Sequence, residues 1–159
     1  SVEVDRDDKT SPGFKFAETE LAGIPLRMEI GPKEMEAKEV VLVRRDTGEK
    51  MKVPATGLVE RIRGLCDEIQ NNLFHTALLN RKNHTHILST YKDLVTLMEG
   101  DGGFVDTGWC GDPACEAKIK EETKATIRNI PLGREELTHK SCIYCGKDSC
   151  HDVIIAKAY

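Results

Sequence analysis

Val2 and Val4 alternate with polar neighbours and read as the tail of a strand running into the acidic turn Asp5-Arg6-Asp7-Asp8. Thr10-Ser11-Pro12-Gly13 punctuates the chain, and residues 14–21 then read as a helix closed by Gly23 and Pro25. Apolar and polar residues alternate over residues 26–30, the period of a half-buried strand. Gly31-Pro32 stops it, and residues 33–36 suit a short acidic helical turn. Val40-Val41-Leu42-Val43 is a continuous apolar run, which predicts a strand covered on both faces. Asp46-Thr47-Gly48 reads as a hairpin-like turn before a returning strand over residues 49–53.

From Leu58 the period lengthens. Leu58, Ile62, Leu65, Ile69 and Leu73 fall at helical spacing, with Cys66 and Ala77 at nearby angles. This predicts one amphipathic helix of about six turns, ending at residues 80–83, with Cys66 in the core. A second strand–helix–strand stretch follows, with a strand over 86–89, a helix over 91–98 and a turn at Gly100-Asp101-Gly102-Gly103. Residues 104–109 lead into a cysteine-rich stretch, 116–123 form a short helix, and 125–130 and 153–158 are closing strands. The break near 80–84 divides the chain into a first domain over residues 1–80 and a second over 81–159. The first half opens in mid-pattern, as a fragment of a longer α/β unit would.

Composition narrows the function classes. The 159 residues are 39% hydrophobic and 31% charged, too apolar for a disordered chain. No apolar run approaches the roughly 20 residues of a membrane span. The 23 basic and 27 acidic side chains give a formal net charge of −4. That balance argues against loose electrostatic wrapping of nucleic acid and leaves room only for a local mixed-charge site.

Candidate chemistry centres on the six cysteines. Cys110-x4-Cys115 and Cys142-x2-Cys145 form two short knuckles separated by 26 residues, the spacing of a tetrahedral structural zinc site. Gly111 and Pro113 bend the first knuckle, and Gly146 after the second can take the left-handed conformation. A closed four-sulfur set leaves no open position for catalysis. Disulfides or free thiols are the alternative, and Cys150 and His151 are rivals for a fourth ligand. Four thiolates and one Zn2+ would take the net charge to about −6. Among the histidines only His84-x-His86 has any mutual spacing, and none is assigned chemistry.

Two sets of motifs carry a family resemblance. Ser11-Pro12-Gly13-Phe14-Lys15-Phe16-Ala17-Glu18-Thr19-Glu20, Gly23-Ile24-Pro25-Leu26-Arg27-Met28-Glu29-Ile30-Gly31-Pro32-Lys33 and Val43-Arg44-Arg45-Asp46-Thr47-Gly48-Glu49-Lys50 resemble the anticodon-binding domain of prolyl-tRNA synthetases. Trp109-Cys110-Gly111-Asp112-Pro113-Ala114-Cys115-Glu116, Cys142-Ile143-Tyr144-Cys145-Gly146-Lys147 and Ala156-Lys157-Ala158-Tyr159 resemble the zinc-binding C-terminal domain of the family's eukaryote-like and archaeal form. The implied fold is α/β: an incomplete three-layer anticodon-binding domain, a mixed sheet flanked by helices without its first strand and helix, followed by a small α/β zinc-binding domain.

The resemblance implies a parent enzyme, a class II synthetase that attaches proline to tRNA(Pro) in two ATP-dependent steps. ATP and Mg2+ would belong to a catalytic domain absent from this sequence, so the chain alone would be inactive. Its implied task is to recognise the tRNA(Pro) anticodon stem-loop, whose unpaired guanines offer N1–H and N2–H to carboxylates and O6 and N7 to Arg or Lys. Glu20, Arg27, Lys33, Glu34 and Lys50 are the matching candidates for RNA contact, with Lys15, Glu18 and Arg45 behind them. Phe14, where the family commonly has tryptophan, is expected to pack in the core. Tyr159 is expected to dock toward the parent's own N-terminal catalytic domain, and Trp109 to lid the zinc domain's core. A homodimer in the full-length enzyme, a cytoplasmic location and no membrane association complete the implied picture. A zinc-stabilised protein-interaction module without a tRNA role is the alternative.

Overall fold

Capping and turn chemistry set the elements of the first unit, Ser1–Ala77, in a computed structural model that describes residues 1–134 and 136–158. Helix α1 (Pro12–Leu21) starts where the Ser11 hydroxyl accepts from the Phe14 amide and Pro12 sits in the first turn. Strand β1 (Leu26–Glu29), helix α2 (Pro32–Ala37), strands β2 (Glu39–Arg44) and β3 (Lys50–Pro54), and helix α3 (Leu58–Asn83) follow. The sheet order is β1-β2-β3, and both pairings are antiparallel. Val40, Leu42 and Leu65 form the core, flanked by Leu26, Met51, Val53, Leu58 and Ile62. Val43, on the other face of β2, is also buried, so this strand is covered on both sides as its apolar run predicts.

An ionic lock ties the β2–β3 turn to α3. The Arg44 guanidinium donates to Asp46 at 3.1 and 2.8 Å and to Glu68 at 3.1 Å, while Asn72 Nδ2 donates to Asp46 at 2.8 Å. The Arg44 bonds, with burial opposing and Asn72 helping, hold the Asp46 carboxyl at about 2.

The second unit, Leu78–Tyr159, holds strand β4 (Thr85–Ile87), helix α4 (Tyr91–Glu99), strand β5 (Phe104–Trp109), helix α5 (Pro113–Thr123), and strands β6 (Ala125–Asn129) and β7 (His151–Lys157). The sheet order is β4-β5-β7-β6. β4 and β5 are parallel, joined through α4, and the other pairings are antiparallel. Leu94, Met98, Val105, Ile119, Ala125, Ile143, Val153 and Ile155 make one buried core. Trp109 packs against its edge.

The α/β class with sheets flanked by helices holds in both units, but the pairing differs in detail. The mixed sheet is the second one, whereas the described strands of the first pair only antiparallel. Four local expectations need correction. Val2 and Val4 are 86% and 68% exposed and lie outside any strand, because no described strand pairs with them. Phe14 is 58% exposed rather than packed. Phe16 turns inward instead, since two residues along a helix rotate a side chain by about 200°. Cys66 is only half-buried. Leu65 and Ile69 are buried, but Leu73 is 44% exposed. The 26 residues of α3 run about 39 Å, and the six residues of β2 only about 20 Å, so the sheet covers roughly half the helix.

Candidate functional site

Strand alternation builds a charged face on the first sheet. Arg27 on β1, Val43 on β2 and Lys50 on β3 lie in one cross-strand row, and Glu29, Val41 and Lys52 lie in the next row of the same face. α1 contributes Phe16 and Glu20 to it. The Arg27 guanidinium stacks 4.0 Å from the Phe16 ring centre. Its Nε donates to Glu29 Oε1 at 3.1 Å and its Nη1 to Glu20 Oε1 at 3.2 Å. Lys50 Nζ stands 3.8 Å from the same Glu29 oxygen and 5.8 Å from the Phe16 ring centre. The Arg45 guanidinium donates to the Glu20 carbonyl at 2.9 Å and pins the end of α1. Glu34 caps α2 by accepting from the Gly31 amide at 3.2 Å, and Lys52 lies 3.9 Å from its carboxylate. Lys33 and Glu18 are exposed, and Lys15 pairs with Asp5 at 3.0 Å.

The second unit gathers four thiols. Cys110, Cys115, Cys142 and Cys145 place their sulfurs within 4.8 Å of one another, the one such cluster among the described residues. Cys110 Sγ is 3.7 Å from both Cys115 Sγ and Cys145 Sγ. These separations would suit sulfurs around one ion and are far longer than a disulfide of about 2.05 Å, and all six cysteines are free. Each knuckle is shaped locally. Gly111 has φ +82° and Asp112 caps α5 by accepting from the Ala114 amide at 2.9 Å. In the second knuckle the Cys142 amide donates to Lys147 and the Gly146 amide to Cys142, at 2.8 and 2.9 Å.

Gly108 lets the two knuckles approach. A Cβ there would overlap the Ser141 carbonyl and come within 2.8 Å of Ser149 Oγ. Burial pushes the Cys110 and Cys115 thiols up. Burial also opposes the Cys142 thiolate, yet amides of Cys145, Cys110 and Tyr144 outweigh it and bring that thiol down to about 7. Cys150 is exposed and, like His151, lies outside the four-sulfur cluster.

A half-buried ionic network holds the loop before the second knuckle. Arg134 makes a two-pronged contact with Asp106, Nη1 at 2.8 Å, and reaches Asp152 at 3.2 Å. Asp152 accepts from the Thr138 and His139 amides at 2.8 and 3.0 Å, and His139 Nε2 lies 3.2 Å from Asp106. Glu122 receives the Tyr91 hydroxyl at 2.7 Å and the Tyr144 hydroxyl at 3.3 Å, linking α4, α5 and the knuckle.

Comparison with known proteins matches both units. Residues 1–65 match the family described as the anticodon binding domain. Residues 91–159 match the family described as prolyl-tRNA synthetase, C-terminal. The chain belongs to the prolyl-tRNA synthetase family. Relatives named proline--tRNA ligase align along essentially its whole length. One from Clostridioides difficile, named proline--tRNA ligase 2, is 46% identical over 100% of this chain and 33% of its own length. One from Symbiobacterium thermophilum is 47% identical over 99% of this chain and 33% of its own. One from Cytophaga hutchinsonii is 46% identical over 100% of this chain and 32% of its own. The chain thus spans about a third of these relatives and corresponds to the C-terminal portion of a prolyl-tRNA synthetase.

Within this prolyl-tRNA synthetase portion, the structure brings Glu20, Arg27 and Lys50 together, with Glu34 one row away beside Lys52. Sequence reasoning does not single out Phe16, Glu29, Lys52 or the Arg134 network. Alternation along β1 and β3 marks Glu29 and Lys52 as neighbours of Arg27 and Lys50, whereas no spacing signals the network. The docking expected of Tyr159 falls outside the described residues. No described helix is long and apolar enough to cross a membrane.

Proposed function

We propose that this chain reads the anticodon stem-loop of tRNA(Pro) as the C-terminal part of a proline--tRNA ligase. The observation that carries the reading is the charged face of the first sheet, where Arg27 is fixed between two carboxylates inside the stretch matching an anticodon-binding domain. Carboxylates such as Glu20 accept guanine N1–H and N2–H, and Arg27 or Lys50 donates to O6 and N7. Lys33 and Glu34 are the further contacts of this reading. The aminoacylation chemistry, with ATP and Mg2+, belongs to the parent's N-terminal catalytic domain, and the parent is a cytoplasmic homodimer.

Cys110, Cys115, Cys142 and Cys145 hold a structural Zn2+. A tetrahedral zinc with bonds of about 2.3 Å sets its sulfurs roughly 3.8 Å apart, close to the 3.7 Å between Cys110 and its two neighbours. Zinc supplies a cross-link here, and the four thiols leave no side open for substrate.

The reading predicts anticodon-dependent binding. In filter binding with the full-length parent, replacing the two proline-specifying guanines should weaken tRNA(Pro) binding by about 10- to 100-fold, the cost of one or two lost polar contacts. Equal affinity for the cognate and substituted tRNAs would refute it.

A further inference from the structure

Glu29 is the centre of the charged face: strand alternation places it on the side of Arg27, and the distances give it its role. Its side chain is 25% exposed, and one oxygen, Oε1, faces both Arg27 Nε at 3.1 Å and Lys50 Nζ at 3.8 Å. Arg27 is only 14% exposed, and its remaining freedom is removed by the Phe16 ring below and by Glu20 at Nη1. Its Nη2 makes no hydrogen bond among the described residues, and no buried polar side-chain atom lacks a partner, so Nη2 meets solvent.

The formal charges of Arg27, Lys50, Glu20 and Glu29 cancel. A neutral cluster has little pull on a phosphate, whose binding rests on uncompensated Lys and Arg. It suits a neutral base edge that carries donors and acceptors side by side, as guanine does.

We propose that Glu29 is a positioning residue for guanine recognition, resting on the anticodon reading above. With Phe16 as a platform, Glu29 holds the Arg27 fork so that Nη2 points outward, and keeps Lys50 beside it. The Arg27 donor is thereby fixed before RNA arrives, with the exposed Lys50 Nζ beside it, and less ordering is needed on binding. Without Glu29, Arg27 is released from its Nε anchor and the cluster gains a net positive charge. The face then loses its preset donor for guanine and no longer tells one anticodon from another.

The test measures aminoacylation by the full-length parent with tRNA(Pro) and with a guanine-substituted anticodon. Glu29→Ala should raise KM for the cognate tRNA about 10-fold with kcat changed less than about 2-fold. KM for the substituted tRNA should move less than about 2-fold, so discrimination shrinks by nearly the same factor. Glu29→Gln keeps an acceptor for Nε and should restore at least half of the discrimination, a rescue that also covers the case in which the alanine variant folds poorly. In an Arg27→Ala background, Glu29→Ala should cost clearly less than it does alone, because most of its effect runs through Arg27. Equal loss for both tRNAs, or no loss, would overturn the positioning role while wild-type discrimination stands. If wild-type enzyme does not discriminate at all, the underlying anticodon reading has failed instead.

Discussion

Stripping the metal from the full-length parent is expected to unfold the second unit while the first keeps its structure. Structural zinc sites in small domains contribute on the order of 10 kcal/mol, comparable with the whole 5–15 kcal/mol or so that stabilises a typical domain. Here the four thiols tie the start of α5 to the loop that leads into β7, two segments 26 residues apart in the chain. The second knuckle adds Ile143 to the core around Ile119 and Val153 and packs Tyr144 against it, so the metal would clamp the thiol-bearing turns onto that apolar contact. Hydrogen exchange after chelation should show amides of β5, α5 and β7 losing protection, and those of β2 keeping it. Cys142→Ser should reproduce the loss, and the untreated protein should contain about one zinc per chain by elemental analysis. Full protection in metal-free protein would show that the cluster does not hold this unit together.

The second large effect concerns Asp152. Its carboxylate is buried, and burial alone would raise its pKa. The Thr138 and His139 amides and Arg134 overcome that and hold it at about 2. A carboxyl lowered in the folded state stabilises above its unfolded pKa, near 3.8, and that contribution fades as pH falls toward 2. Asp152→Ala leaves the two amides unanswered and Arg134 with Asp106 alone. Breaking a buried ionic contact costs about 3–5 kcal/mol, and the partial exposure of Arg134 places the cost near the lower end, about 3 kcal/mol. For a unit of this size that is a drop of roughly 15 °C in the midpoint of its unfolding transition at neutral pH. The difference from wild type should narrow between pH 4 and pH 2. A pH-independent difference, or one below about 1 kcal/mol, would show that the network contributes little.

Much of this architecture is legible in the residue pattern, for reasons that are local. Helices α1 and α5 are both placed by the sequence, at 14–21 and 116–123, but Ser11-Pro12 and Asp112-Pro113 cap and open them two and three residues earlier. The Cys110-x4-Cys115 and Cys142-x2-Cys145 spacings are short enough for each knuckle to form from its own turn. What escapes the sequence depends on partners distant in the chain. Phe14 and Phe16 are equivalent in one dimension, and only the position of the sheet decides that Phe16 receives Arg27. The Leu73 stripe has the right period, but a strand of six residues cannot cover a helix of 26. Arg134, Asp106, Asp152 and His139 come from separate segments and converge only once β5 pairs with β7. Glu29 lies between these cases: its face is given by alternation, and its role only by the distances to Arg27 and Lys50.

Reading of the tRNA(Pro) anticodon is proposed for the charged face that Arg27, Glu29 and Lys50 form with α1. Its most direct test is hydrogen exchange of the full-length parent with and without a cognate anticodon stem-loop RNA. Elements α1, β1 and β3 should gain protection with the cognate loop, and the gain should disappear when its two guanines are replaced. Protection confined to other segments, or equal protection by both loops, would contradict it.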